Sequence, residues 1–235
     1  VTDTITLDTA APTSNSISIA GGATYTTSTS VTLTLASTGA SQMRFKNESG
    51  GTYSSYESYS TSKSWTLGSS NGTKTVYAQF KDAAGNESTA VSDSIILDSV
   101  NPVVAVTSPN GGESWNGTKS ITWSTTDTNV SSRVVGISTN GGSSYTTLSA
   151  SVTDSGTYSW NTTGTSDSTT VRIKVTATDK AGNSASDVSN ANFAVDNTAP
   201  TSNSITINGG SYTGSTSVTL ALTSTGAVTM RFSND

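Results

Sequence analysis

The chain has 235 residues, with 11 Lys and Arg against 16 Asp and Glu, a formal net charge of −5, no Cys and no His. Without Cys there is no disulfide or thiolate metal site. Without His the commonest general base is missing, so Ser–His and Cys–His catalytic constellations are excluded within this chain.

No basic run offers a nucleic-acid footprint. No apolar run approaches the roughly 20 residues of a membrane-spanning helix. Ser and Thr number 45 each, 90 residues together, a polarity that only strict patterning reconciles with folding.

In chain order, VTDTITLD at 1–8 aligns with VSDSIILD at 91–98 and reads as the last strand of a preceding unit. Residues 8–22, DTAAPTSNSISIAGG, return as DNTAPTSNSITINGG at 196–210, with 11 of 15 positions identical. The likeness continues between STSVTLTLASTGASQMRFKNE at 28–48 and STSVTLALTSTGAVTMRFSND at 215–235. Self-similarity of this length marks a repeat array.

Within the first unit, Val31, Leu33 and Leu35 alternate with Thr32 and Thr34, and Val76, Ala78 and Phe80 alternate with Tyr77 and Gln79. Period-two alternation puts one face in a core and the other in water. Between these strands, TYSSYESYSTSKSW gathers Tyr53, Tyr56, Tyr59 and Trp65 around Glu57. Exposed and contiguous, these would make a stacking platform for a sugar, with Glu57 accepting hydroxyl hydrogen bonds. Packed along a sandwich edge, they would cover a long loop. Asp82-Ala-Ala-Gly-Asn86 follows, a good turn sequence with Gly85 free to take φ > 0.

Asp98-Ser-Val-Asn-Pro102 repeats the Asp-to-Pro spacing of Asp8 to Pro12 and Asp196 to Pro200, so these junctions lie 90 and 98 residues apart. Each interval is the size of one β-sandwich domain. Residues 1–7 therefore end a preceding domain. Residues 8–98 form a type A domain, 99–195 a type B domain, and 196–235 the N-terminal part of a second, incomplete type A domain.

In type B, Ile121 and Trp123 flank Thr122, and Val171, Ile173, Val175 and Ala177 alternate with polar residues. Trp115, Trp123 and Trp160 read as core residues. No stretch shows sustained helical periodicity. The outward positions are largely Thr, which suits a pleated strand. The fold class is all-β, with antiparallel sandwiches in tandem.

Two motifs carry a resemblance. Asp82-Ala-Ala-Gly-Asn86 and Asp179-Lys-Ala-Gly-Asn183 each precede a last strand, and a junction Asp follows. With KTVYAQFKDAAGN in type A and SPNGGESWNGTKSITW in type B, the chain resembles Ig-like repeat domains of large bacterial and archaeal cell-surface proteins, of the adhesin, filament or surface-layer kind. That resemblance implies Ig-like sandwiches in a rod-like array and an extracellular, cell-surface location. It also implies calcium at the domain junctions. Carried over residue by residue, the candidate ligands are Asp8, Asp82, Asn86, Asp98, Asp179, Asn183 and Asp196. Carboxylates, amides and carbonyls are the oxygen donors that Ca²⁺ takes. Read without the resemblance, the same residues are turn and linker chemistry.

The expected function is non-enzymatic: a structural repeat region acting as a spacer or stalk, or building an extracellular filament, sheath or surface layer. Its expected partners are further Ig-like repeats of the same chain, with self-assembly and glycans as further candidates. The alternative is a carbohydrate- or receptor-binding module of an adhesin or secreted hydrolase. The paired carboxylates of a glycosidase are not evident, since Glu48, Glu57, Glu87 and Glu113 are dispersed. Six Asn-x-Ser/Thr sequons occur, the number that this abundance of Asn, Ser and Thr gives by chance.

Overall fold

A computed structural model describes residues 2–152, 156–207, 212 and 214–233. Residues 13–97 form a two-sheet antiparallel sandwich. The smaller sheet has the order β1 (Thr13–Ile19), β3 (Ser30–Thr38), β6 (Ser62–Thr66). The larger has the order β2 (Tyr25–Thr26), β8 (Val91–Leu97), β7 (Gly72–Lys81), β4 (Gln42–Asn47), β5 (Glu57–Ser58). Only β2 and β8 pair in parallel here.

The predicted alternation holds: Leu33, Leu35, Phe45, Val76, Ala78, Phe80 and Ile95 point inward and are almost fully buried. Between the buried residues of β3, Thr32 and Thr34 point outward. One apolar face per strand suffices for a sandwich, which is why so polar a chain can bury a core.

Residues 103–195 repeat the architecture. One sheet runs β14 (Thr157–Asn161), β11 (Thr118–Thr126), β9 (Val103–Ser108). The other runs β10 (Ser114–Trp115), β17 (Phe193–Val195), β15 (Ser168–Asp179), β12 (Val130–Ser138), β13 (Thr146–Ser149), with β16 (Ser184–Val188) also on β15. Trp115, Trp123 and Trp160 are all in the core, and Trp115 and Trp160 pack against Phe193 at 5.3 and 6.4 Å between ring centroids. The apolar cores on the two sides of Asp98 share no residue.

The same fastening recurs in both sandwiches. A carboxylate on the penultimate or last strand accepts the N–H of an inward residue near a sheet edge: Asp93 takes Ile19 N at 2.7 Å, and Asp187 takes Val106 N at 2.8 Å. In type B, the Pro-Asn-Gly-Gly-Glu segment is a turn capped by Glu113, whose carboxylate accepts Asn110 N and Gly111 N, both at 2.7 Å. Burial works against the charged form of Glu113, but these N–H donors hold it net below the usual carboxylate range.

The C-terminal repeat pairs its strands in the same register as the first. β18 (Thr201–Ile207) and β19 (Leu220–Thr225) pair as β1 and β3 do: Ile205 lies opposite Leu222 as Ile17 lies opposite Leu35. Even the left-handed residue is repeated, Ser14 at φ 52° and Ser202 at φ 54°. Among the described residues no second sheet covers this hairpin. Accordingly Leu222 and Phe232 are 39% and 52% exposed, whereas their counterparts Leu35 and Phe45 are 3% and 0%.

Candidate functional site

At each junction the Asp caps an Asx turn through its own side chain. Asp8 Oδ1 accepts Ala10 N at 3.0 Å, Asp98 Oδ1 accepts Val100 N at 3.2 Å, and Asp196 Oδ1 accepts Thr198 N at 3.1 Å. An aspartate that bonds its own backbone two residues on fixes the direction in which the chain leaves the last strand. The same local bond recurs at all three Asp-to-Pro junctions.

The Asp-x-Ala-Gly-Asn loops are a second, matching device. In type A, Asp82 Oδ1 accepts Gly85 N at 2.7 Å and Asn86 N at 2.8 Å; in type B, Asp179 Oδ1 accepts Gly182 N at 2.7 Å and Asn183 N at 2.9 Å. Both glycines sit at φ +98°, where a side chain would be strained. The Asn86 amide, then the backbone N–H groups of the loop, hold the Asp82 carboxyl below its ordinary value against a smaller burial effect.

The loop asparagine then reaches across the junction. Asn86 Nδ2 donates to Asp82 Oδ2 at 2.8 Å and to the Asp8 carbonyl at 3.1 Å. Asn183 Nδ2 donates to Asp179 Oδ2 at 2.7 Å and to the Asp98 carbonyl at 2.9 Å. The structure thus brings Asp8 to Asp82 and Asn86, and Asp98 to Asp179 and Asn183. It brings none of these to Asp196. There, Asn197 bonds back to Thr162 and Thr165 of its own sandwich, and Asp167 accepts Asn197 N at 2.7 Å.

One participant was not found from sequence. Asp127, between β11 and β12, lies beside Asp98 and Asp179, and the three offer carboxylate oxygens all within 4.8 Å of one another. Asp98 and Asp179 are buried and Asp127 is half-buried. It is the one group of three acidic side chains so close among the described residues. Asn129 ties it together: its N–H donates to Asp127 at 2.6 Å, its side chain to Asp98 at 3.4 Å, and its carbonyl accepts Lys180 N at 2.8 Å.

The aromatic cluster does not form one surface. Trp65 lies opposite buried Val31 and turns inward, 5.4 Å from Phe45, with its indole N–H donating to Asn47 at 2.8 Å. Tyr59 also packs against the core, edge-on to Phe80 at 6.0 Å, and its hydroxyl accepts Ser37 N at 3.1 Å. Glu57 lies opposite inward-facing Met43 and pairs with Lys63 at 2.6 Å, joining edge strands β5 and β6 of the two sheets. Only Tyr53 and Tyr56 remain outside, and cations lie against both rings. The Tyr56 hydroxyl is buried without a partner in good hydrogen-bonding geometry; burial, then the Glu87 carboxylate, pushes it up to about 12. The expectation of a platform of four stacking rings with Glu57 is therefore corrected: strand alternation divides these residues between the inside and the outside of the sandwich.

No family model and no curated protein sequence matches the chain. Solved structures resemble it at low identity. Fibronectin(III)-like modules of Clostridium thermocellum CbhA share 15% identity over 77% of this chain and 93% of theirs, with a TM-score of 0.44. A tetra-tandem repeat in the extending region of a large adhesion protein shares 18% identity over 90% of this chain and 62% of its own, with a TM-score of 0.33. Chicken CNTN1 FN1–FN3 domains share 16% identity over 77% of this chain and 67% of theirs, with a TM-score of 0.32. No helix among the described residues is long and apolar enough to cross a membrane.

Proposed function

We propose that this chain is a non-catalytic structural repeat region of an extracellular, cell-surface protein, a spacer in which each sandwich holds its neighbour at a set angle. The observation that carries this reading is the asparagine bond made twice, Asn86 to the Asp8 carbonyl and Asn183 to the Asp98 carbonyl. A domain that grips the exit of the preceding strand limits bending at the seam. Asx turns and a Pro after each Asp stiffen the same short linker. A Ser- and Thr-rich exterior without Cys suits a chain whose stability is independent of redox conditions.

Calcium belongs to the proposal at the Asp98 junction. Asp98, Asp127 and Asp179 would supply hard carboxylate oxygens, a donor set that fits this ion. Bound there, it would neutralise three converging carboxylates and cross-link the exit of type A to two loops of type B. The junction at Asp8 has no such third carboxylate among the described residues, so its grip rests on Asn86.

The test is thermal unfolding of the chain with calcium and with a chelator. At calcium a hundredfold above its dissociation constant, the stabilisation is about 2.7 kcal/mol. Asp127→Asn should remove the calcium response and Asp82→Asn should retain it. A melting curve indifferent to calcium in the unsubstituted chain would remove the ion from the account and leave the asparagine grip to stand alone.

A further inference from the structure

The outer face of the larger type A sheet carries a row of alternating cations and phenol rings. Lys81 Nζ lies 3.9 Å from the centre of the Tyr56 ring, Arg44 lies 4.5 Å from Tyr56 and 4.7 Å from Tyr53, and Lys46 lies 4.9 Å from Tyr53 and 5.2 Å from Tyr77. Strand register makes the row linear. Lys81 is opposite Gln42, Arg44 opposite Gln79 and Lys46 opposite Tyr77, so the three cations occupy three successive outward levels of β4 and β7. At two residues per level the steps are roughly 7 Å, and the row spans roughly 13 Å.

Among the described residues, Glu87 is the one carboxylate paired with the row, at 3.2 Å from Arg44. Three positive charges against one negative make this a local reversal of sign on a chain of net charge −5. Each cation of the row also lies against a phenol ring, which favours its place on this face. Beside the row, the same face continues into hydroxyls: Thr75 and Ser94 are in contact at 3.0 Å, flanked by Thr73 and Ser92.

We propose that this face docks an acidic polysaccharide, a linear sugar chain bearing regularly spaced carboxylates. The cations would take successive carboxylates, and the flanking Thr and Ser hydroxyls would meet the sugar hydroxyls. A single-stranded nucleic acid is a poorer fit. Such binding relies on bases stacking on open aromatic rings, and here Tyr53 and Tyr56 each already carry two cations. The proposal is independent of the spacer reading, which concerns the junctions and not this face.

The experiment measures binding of the full chain to polygalacturonate, to neutral dextran and to oligothymidylate at low and moderate salt. Polygalacturonate should bind, dextran should not, and the affinity should fall as salt rises. Lys46→Ser, which places at 46 the residue found at 233 in the C-terminal repeat, should weaken binding about fivefold, and Lys81→Gln likewise. Lys119→Gln, on type B, should leave binding unchanged. Unaltered melting of each variant shows that the sandwich is intact. Dextran binding as well as polygalacturonate, full retention in the Lys46→Ser, Lys81→Gln double variant, or oligothymidylate binding equally tightly would each overturn the proposal.

Discussion

Asn183 donates from one amide nitrogen to two acceptors that are far apart in sequence, the Asp179 carboxylate four residues before it and the Asp98 carbonyl 85 residues before it. The first bond shapes a turn inside type B. The second ties that turn to the end of type A. Because the same atom makes both, loss of the amide removes both bonds at once. Asn183→Ala should destabilise type B by about 1.5–3 kcal/mol, since a buried carboxylate loses a charge-assisted partner. Calorimetry should show the type B transition falling by several degrees and type A nearly unmoved; equal shifts would place the bond's effect elsewhere.

Asp82 gives the pH dependence. Its folded-state pKa is depressed, first by the Asn86 side chain. Its contribution is therefore fully present above the unfolded value, about 3.9, and is lost as pH falls through the lower folded value. Urea unfolding between pH 5 and pH 2 should show the unsubstituted chain losing stability faster than Asp82→Asn. The gap between them should be constant above about pH 5 and should narrow below it. Parallel pH profiles would mean that Asp82 does not feel its loop.

Gly111 is held by space as well as by conformation. Its φ is +128°, and a Cβ there would lie 2.5 Å from the Ala191 Cβ. Gly111→Ala should cost about 2–4 kcal/mol, through a disfavoured backbone conformation and a steric clash. Denaturant titration should lower the type B midpoint at unchanged slope. An unaltered midpoint would mean that the turn between β9 and β10 relaxes freely.

Trp65 separates the packing role from the sugar-platform role. Placed against Phe45 with its N–H on Asn47, it should act as a core residue. Trp65→Ala should lower type A stability by about 3 kcal/mol. A surface platform would instead lose glycan binding with its melting temperature intact.

The legible and illegible parts divide by the range of the interaction. The Asp-to-Pro signposts were readable because an Asx turn is made within three residues. The alternation at Leu33, Val76 or Val171 was readable because a pleated strand has a local period of two. Asp127 was not readable as a member of the junction: its neighbours Asp98 and Asp179 lie 29 and 52 residues away, and it meets Asp179 only through the pairing of β12 with β15 and Asp98 only where the two sandwiches join. The inward turn of Trp65 was hidden for a related reason. Ser, Lys, Ser and Thr surround it, so nothing in β6 marks an apolar face, and its direction is fixed by register with Val31 on another strand. The cation row was missed because Lys81 joins Arg44 and Lys46 only through the pairing of β7 with β4.

The central claim is that type A and type B are separately cored units held at one mutual angle through Asp98 and Asn183. Residual dipolar couplings, measured on backbone amides of both sandwiches, test it most directly. A single alignment tensor should describe both in the unsubstituted chain, and Asn183→Ala should split it into two. Two unrelated tensors already present in the unsubstituted chain, with calcium supplied, would contradict the account.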